Sequence, residues 1–232
     1  KRDLGQLERD SGERDYKFFI KNEIYFEPKP ARIIAPHGDD FNARYWEATQ
    51  VVSHVLYCQK FSVKGLTTFE RMDRILETFP SEGLFLSLDM SRMEASYGRL
   101  AFDLECYLFK KVIPRFSGLW DVLCEVFKGK KVLRNKGVKV VLRHKRMSGE
   151  MTTALTHLLV NWILIHYVAY KSGVQVLGFL GEGDDGLVRL SGKIDPKWYE
   201  RLGFRFKGEY TNSLYLTKFC HMTISPDHSG II

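Results

Sequence analysis

The chain of 232 residues is 44% hydrophobic and 13% aromatic, enough to build one large or two small cored domains, which excludes a disordered or low-complexity protein. Its formal charge of +7 points to a polyanionic partner, most simply nucleic acid, the plainer reading being a merely soluble basic protein. Cysteines at 58, 106, 124 and 220 show no CxxC spacing, which disfavours a zinc site or redox motif and fits a reducing compartment.

The first residues, KRDLGQLERD, carry no signal-peptide pattern. Without a starting Met, and with an end in PDHSGII, the sequence reads as an excerpt of a longer protein. Tyr16 to Ile34 mixes apolar and basic residues around Pro28 and Pro30, which predicts extended segments. Asn42 to Phe61 has helical spacing of Trp46, Val51, Val55 and Leu56, and Phe69 to Phe79 predicts a second helix ended by Pro80. Leu84 to Leu88 predicts a short strand ending at Asp89. Met93 to Val112 predicts one long helix with Leu100, Leu104, Tyr107 and Leu108 on its face.

The basic segment 128–146, KGKKVLRNKGVKVVLRHKR, alternates Val and Lys about Asn135-Lys136-Gly137 and predicts a hairpin, read either as a solvated basic face or as one whose cations meet nucleic-acid phosphates. A long helix is expected from Gly149 to about Tyr170; its apolar run is broken by Thr156, His157, Asn161 and His166, so it is a buried helix and not a membrane span. Beyond it come a hairpin, a helix near Pro196 to Leu202, and strands near 204–207 and 214–223. Irregular alternation with hairpins favours α+β over a doubly wound parallel fold.

Chemistry concentrates in VLGFLGEGDDGLVRL at 176–190, where two apolar runs flank an acidic glycine turn. A hairpin there places Asp184 and Asp185 side by side at its tip, where they repel each other until a cation intervenes. Mg²⁺ is commonly held by one or two carboxylates plus substrate phosphates, so the pattern points to phosphoryl transfer. Gly38-Asp39-Asp40 repeats the tripeptide without flanking strands and reads as a solvated loop. A second acid, Asp89, ends the strand at 84–88, with Glu94 five residues on. If the strands pair, Asp89 meets the hairpin tip, and two ions about 4 Å apart could serve an in-line phosphoryl displacement. Read singly, Asp89 is a turn or cap residue and the hairpin an acidic turn.

In order, the chain shows FIKNE (19–23), KPARIIAP (29–36), LDMSRME (88–94), RMSGEMTTAL (146–155), GEGDDG (181–186), GF (203–204) and KFCH (218–221). This series resembles the RNA-dependent RNA polymerases of positive-strand RNA viruses, most closely the tombusvirus-like group. The resemblance runs from about residue 17 to 222. It implies a right-hand polymerase with an α+β palm, an antiparallel sheet flanked by helices, part of the fingers and little thumb. Residues 1–80 then form partial fingers, and 81–232 the palm with a fingers insertion near 113–147.

The resemblance further implies that Asp89, Asp184 and Asp185 bind Mg²⁺ or Mn²⁺. Lys207 matches a lysine thought to protonate leaving pyrophosphate. Lys21, Lys29 and Arg32 match the basic motif of the nucleotide channel. Ser148 and Gly149 open the motif that positions template and ribose, with Thr153 offering a hydroxyl. Phe219 and Cys220 match a hairpin that grips the primer. Partners are an RNA template, nascent RNA, nucleoside triphosphates and other replicase subunits, in a replication complex of the host cytoplasm.

Two positions depart from the family pattern. Glu94 stands where Asp is usual, and His157, nine residues after Ser148, stands where Asn is usual. In that family these positions together recognise the ribose 2′-hydroxyl, so the resemblance implies that the substitutions either compensate or weaken the enzyme. The competing reading is a polymerase-like RNA-binding subunit with weakened catalysis. A reverse transcriptase fits less well, because Glu182-Gly183 precede the paired acids.

Overall fold

Seven α-helices and eleven strands make up the residues described by this computed structural model, which are 14–22, 28, 31–90, 92–114 and 117–225. In chain order the strands are β1 (Arg14–Lys17), β2 (Phe19–Ile20), β3 (Ile33–Ile34), β4 (Glu82–Asp89), β5 (Lys130–Asn135), β6 (Val138–Arg143), β7 (Val176–Glu182), β8 (Asp185–Leu190), β9 (Gly208–Ser213), β10 (Lys218–Phe219) and β11 (Met222–Thr223). The helices are α1 (Asp39–Tyr57), α2 (Thr68–Thr78), α3 (Met93–Ser96), α4 (Arg99–Val112), α5 (Ser117–Lys128), α6 (Thr153–Lys171) and α7 (Lys197–Arg201). The class is α+β. Among the described residues no helix is long and apolar enough to cross a membrane. The chain forms two compact units, one of residues 1–52 and 94–153, the other of 53–93 and 154–232.

The first unit is built on the sheet β1-β5-β6, with β1 parallel and β6 antiparallel to β5. Tyr16, Ala35, Leu133 and Met147 form a core cluster there. Lys136 and Gly137 turn the predicted β5–β6 hairpin with positive φ at both residues (41° and 85°), the type I′ pattern that matches strand twist. Helices α4 and α5 lie against each other through Phe109 and Trp120, whose rings are 4.7 Å apart. The sulfurs of Cys106 and Cys124 also meet there, with Cα atoms 6.1 Å apart.

Several expectations are corrected in this unit. The predicted helix over 93–112 is two helices, broken at Tyr97-Gly98. Its inner face carries Ala101, Phe102, Glu105, Cys106 and Phe109, while Leu100 and Tyr107 are 69% and 59% exposed. Gly38-Asp39-Asp40 is no loop: both aspartates sit in the first turn of α1, where carboxylates complement the helix dipole. The basic segment is not uniformly a phosphate-binding face. Lys131 and Arg146 are buried in an ion-paired cluster, and Lys128 pairs with Asp103.

The second unit is organised by the antiparallel sheet β7-β8-β4-β9. Strand β4 is central because its run of Phe85, Leu86 and Leu88 is buried on both faces. Helix α2 covers one side with Met72 and Ile75, which join Phe79, Phe85, Leu180 and Leu187 in one cluster. It begins with a reciprocal capping box between Thr67 and Glu70. It stops at Phe79, held extended (ψ 137°) before Pro80. Leu158 and Asn161 of α6 press on the sheet at Gly181 and Gly186; a Cβ on Gly181 would lie 2.8 Å from Leu158 Cδ1. The expected strand at 204–207 is irregular, with β9 starting at Gly208, and the expected strand at 214–223 is a 3₁₀ turn followed by the short β10–β11 hairpin.

Candidate active site

Hairpin β7–β8 turns on two residues, Gly183 and Asp184. Only Gly183 has positive φ (62°), the type II′ pattern that wants glycine first. The register then aligns one lateral row of charged residues across the sheet. Glu182 lies opposite Asp185, and Asp185 lies opposite Asp89. On the far side of β4, the Asp89 amide donates to the Lys207 carbonyl at 3.0 Å. Laterally paired side chains share a sheet face, so Glu182, Asp185 and Asp89 project together. The neighbouring row, on the opposite face, is Gly181, Gly186, Leu88 and Gly208. Its missing side chains let α6 approach, and Asn161 Nδ2 donates to the Asp184 carbonyl at 2.9 Å.

The three acids of the row are compensated unequally. Glu182 is clamped by Lys64 (2.7 Å) and Arg71 (2.5 Å). Asp89 Oδ2 accepts from Lys207 Nζ at 2.6 Å. This hydrogen bond and the charge of Asp89 raise the Lys207 pKa. Asp185 has no ion pair among the described residues. Burial, then the charges of Asp184 and Asp89, push its carboxyl up to about 6. A cavity of about 310 Å³ opens on this row, lined by Asp89, Asp185, Lys207, Lys218, Phe219 and Cys220. Burial raises the Cys220 thiol, so it lines the cavity as a neutral group.

A divalent cation fits this donor set. The carboxylates are hard oxygen donors under mutual repulsion, and an ammonium already sits against one of them. Among the described residues no three His, Cys, Asp or Glu side chains converge tightly enough to form a complete metal cage. A few carboxylates that leave coordination positions to a phosphate-bearing substrate suit Mg²⁺ better than such a cage.

The second unit thus brings Asp89, Asp184, Asp185 and Lys207 together. His157 lies in the same unit on α6, buried at 2% exposure one turn before Asn161. In the first unit the Lys21 amide donates to the Arg32 carbonyl at 2.9 Å, which sets these exposed cations side by side. Ser148 is half-buried and Gly149 adopts φ +96°; a Cβ there would lie 2.9 Å from Ile34 Cγ2. The Thr153 hydroxyl is buried and donates to the Met147 carbonyl at 2.9 Å. Glu94 is half-buried on α3, and Lys29 lies outside the described residues.

Sequence reading missed three contributors to the acid row: Asn161, and the pair Lys64 and Arg71. Asn161 had a signal, as a polar residue four positions after His157 on an apolar helix. Lys64 and Arg71 had none, because they meet Glu182 from more than a hundred residues away in sequence.

A family model described as viral RNA-dependent RNA polymerase matches residues 18–231. No match to a curated protein was found.

Proposed function

The chain belongs to the viral RNA-dependent RNA polymerase family and is an RNA-directed nucleotidyltransferase, and we propose that its chemistry takes place at the acid row of β4 and β8. The observation that carries this reading is the register that sets Asp185 opposite Asp89, with Asp184 adjacent at the turn. In the reaction, a primer 3′-hydroxyl oxygen bonds to the α-phosphorus of a nucleoside triphosphate. The bond from that phosphorus to the bridging oxygen breaks, and pyrophosphate leaves with the electron pair. Asp89, Asp184 and Asp185 would hold Mg²⁺ or Mn²⁺. Such ions, when bound, ease loss of the hydroxyl proton and neutralise the triphosphate, the two-ion scheme common to polymerases.

The remaining steps belong to the chain. Asp185 is protonated more readily than an ordinary carboxyl, and positive charge brought beside it would relieve the repulsion from Asp184 and Asp89. Lys207 keeps its proton beside Asp89 and is placed to deliver it to departing pyrophosphate. Asn161 fixes the Asp184 backbone and so the aim of the turn. The roles of Lys21, Lys29 and Arg32 on the triphosphate, of Ser148, Gly149 and Thr153 on template and ribose, and of Glu94 and His157 on the sugar belong to the same proposal. So do the viral replication complex and its cytoplasmic setting.

Primer extension on an RNA template tests the reading. Asp89→Asn and Asp184→Asn are each expected to abolish extension while leaving RNA binding intact. Extension that survives either substitution overturns the assignment. RNA binding by the wild type without extension, in the full-length protein with Mg²⁺ or Mn²⁺, favours the weakened RNA-binding subunit instead.

A further inference from the structure

Arg146 is 1% exposed, yet it carries a full charge in the middle of the first unit. Its guanidinium pairs with Glu105 of α4 and donates to Glu150 Oε2 at 3.1 Å and Thr152 Oγ1 at 2.9 Å. It lies within 5.1 Å of the ring centroids of Tyr97, Phe102 and Phe127. Glu150 is likewise buried and also accepts from Lys131 Nζ. A buried pair of this kind is weak support for stability as such, because desolvation offsets much of its attraction. What it does fix is geometry.

The geometry is specific. Arg146 and Glu150 bracket Met147, Ser148 and Gly149, and their ion pair closes that loop from beneath. The Ser148 carbonyl is tied from outside by the Ala35 amide at 2.8 Å. The residue before Arg146 continues the restraint: Lys145 Nζ donates to the Ala95 carbonyl at 2.5 Å and the Tyr97 carbonyl at 3.1 Å. Those carbonyls belong to the end of α3 and the residue after it, and α3 carries Glu94. Lys145 and Arg146 therefore bind the Glu94 segment at two points, the carbonyls and the Tyr97 ring, while Arg146 and Glu150 hold the Ser148–Gly149 loop.

We infer that Lys145, Arg146 and Glu150 form a strap that keeps Glu94 and the Ser148–Gly149 loop in one fixed register, and that the strap sets ribose selection without touching the nucleotide. The inference rests on the polymerase reading of Glu94 and Ser148. Lys145, Arg146 and Glu150 are positioning residues: they act through the backbone that carries the contacting groups.

Lys145 offers the cleanest test, because it is half-exposed and its removal leaves the buried charges paired. In the full-length protein, Lys145→Met is expected to lower the preference for ribo- over deoxynucleotides about tenfold, the worth of roughly one lost hydrogen bond. The loss should fall mainly on KM, with melting temperature unchanged. Lys145→Arg, which retains donors at that position, should restore most of the preference. Hydrogen exchange should quicken in peptides covering 93–98 and 146–150 of Lys145→Met. An unchanged sugar preference, with or without faster exchange, overturns the inference. If the wild type shows no templated extension, or Asp89→Asn leaves extension intact, the polymerase reading fails first and the inference falls with it.

Discussion

Asp185 is the member of the acid row that has no ion pair among the described residues, and its environment opposes its charge. Its pKa rises from an ordinary 3.8 to about 6 in the fold. Between these values the native state holds a proton that the unfolded chain releases, so stability falls as pH rises through the window and the penalty is complete above it. Below about pH 3 both states are protonated and the group contributes nothing. Asp185→Asn removes the penalty. Discounted for partial exposure, the expected gain in chelator-containing buffer is about 1–2 kcal/mol at pH 8 and almost none at about pH 3. Thermal melts of wild type and variant at both pH values check this; an equal gain at both would show that repulsion is not the cause. Gly149 makes the opposite case, a residue whose backbone tolerates no side chain. Gly149→Ala is expected to cost about 1–3 kcal/mol, combining strain at φ +96° with the contact to Ile34. Gly203→Ala is the control, since φ there is +83° but no atom lies within 4 Å. Urea denaturation should show Gly149→Ala losing more than Gly203→Ala; equal losses would assign the whole cost to φ.

At the scale of elements, β10–β11 is the hairpin with a mismatched turn. Cys220 and His221 occupy its two central positions with φ of 51° and 62°, the type I′ geometry that Asn-Gly serves best. Combining Cys220→Asn with His221→Gly is expected to stabilise the protein by about 1 kcal/mol, read as a higher denaturant midpoint at constant slope. A lower midpoint would mean that packing of the half-buried thiol outweighs turn strain. Strands β4, β7 and β8 were readable in advance because they are short apolar runs punctuated by acids and glycines, whereas β9 was not, falling between the strands expected at 204–207 and 214–223. The helix at 93–112 was misread for two reasons. Tyr97 and Gly98 separate the two helices, with Gly98 capping the second, and helical periodicity names two candidate faces without choosing between them. The buried face contains Glu105, which looks like solvent-facing sequence until Arg146 arrives from 41 positions away. Likewise Asp184 and Asp185 could be assigned to a turn, but the order of the acid row depends on register, and only the folded pairing puts Asp185 opposite Asp89.

For the whole molecule, a charge of +7 says that RNA attracts it but not where. Within 128–146, Lys131 and Arg146 serve the interior, while Lys136, Lys139 and Arg143 lie exposed on β6 and its turn. The two groups should respond oppositely to removal. Lys136→Gln, Lys139→Gln and Arg143→Gln together are expected to leave stability within about 0.5 kcal/mol of wild type, since each changes surface away from packed features. They should weaken RNA binding and flatten the slope of log affinity against log salt by about 2–3, if each cation releases one counterion on binding. Lys131→Gln should instead cost about 3–5 kcal/mol, because Glu150 is left buried with one cation fewer. The paired measurements are a salt titration of RNA affinity and a denaturation curve for each variant. A triple variant with an unchanged slope would move the RNA contacts off β6. A Lys131→Gln protein of normal stability but flattened slope would mean that the cation is reached by solvent and RNA, and that the core of the first unit is less closed than its ion pairs imply.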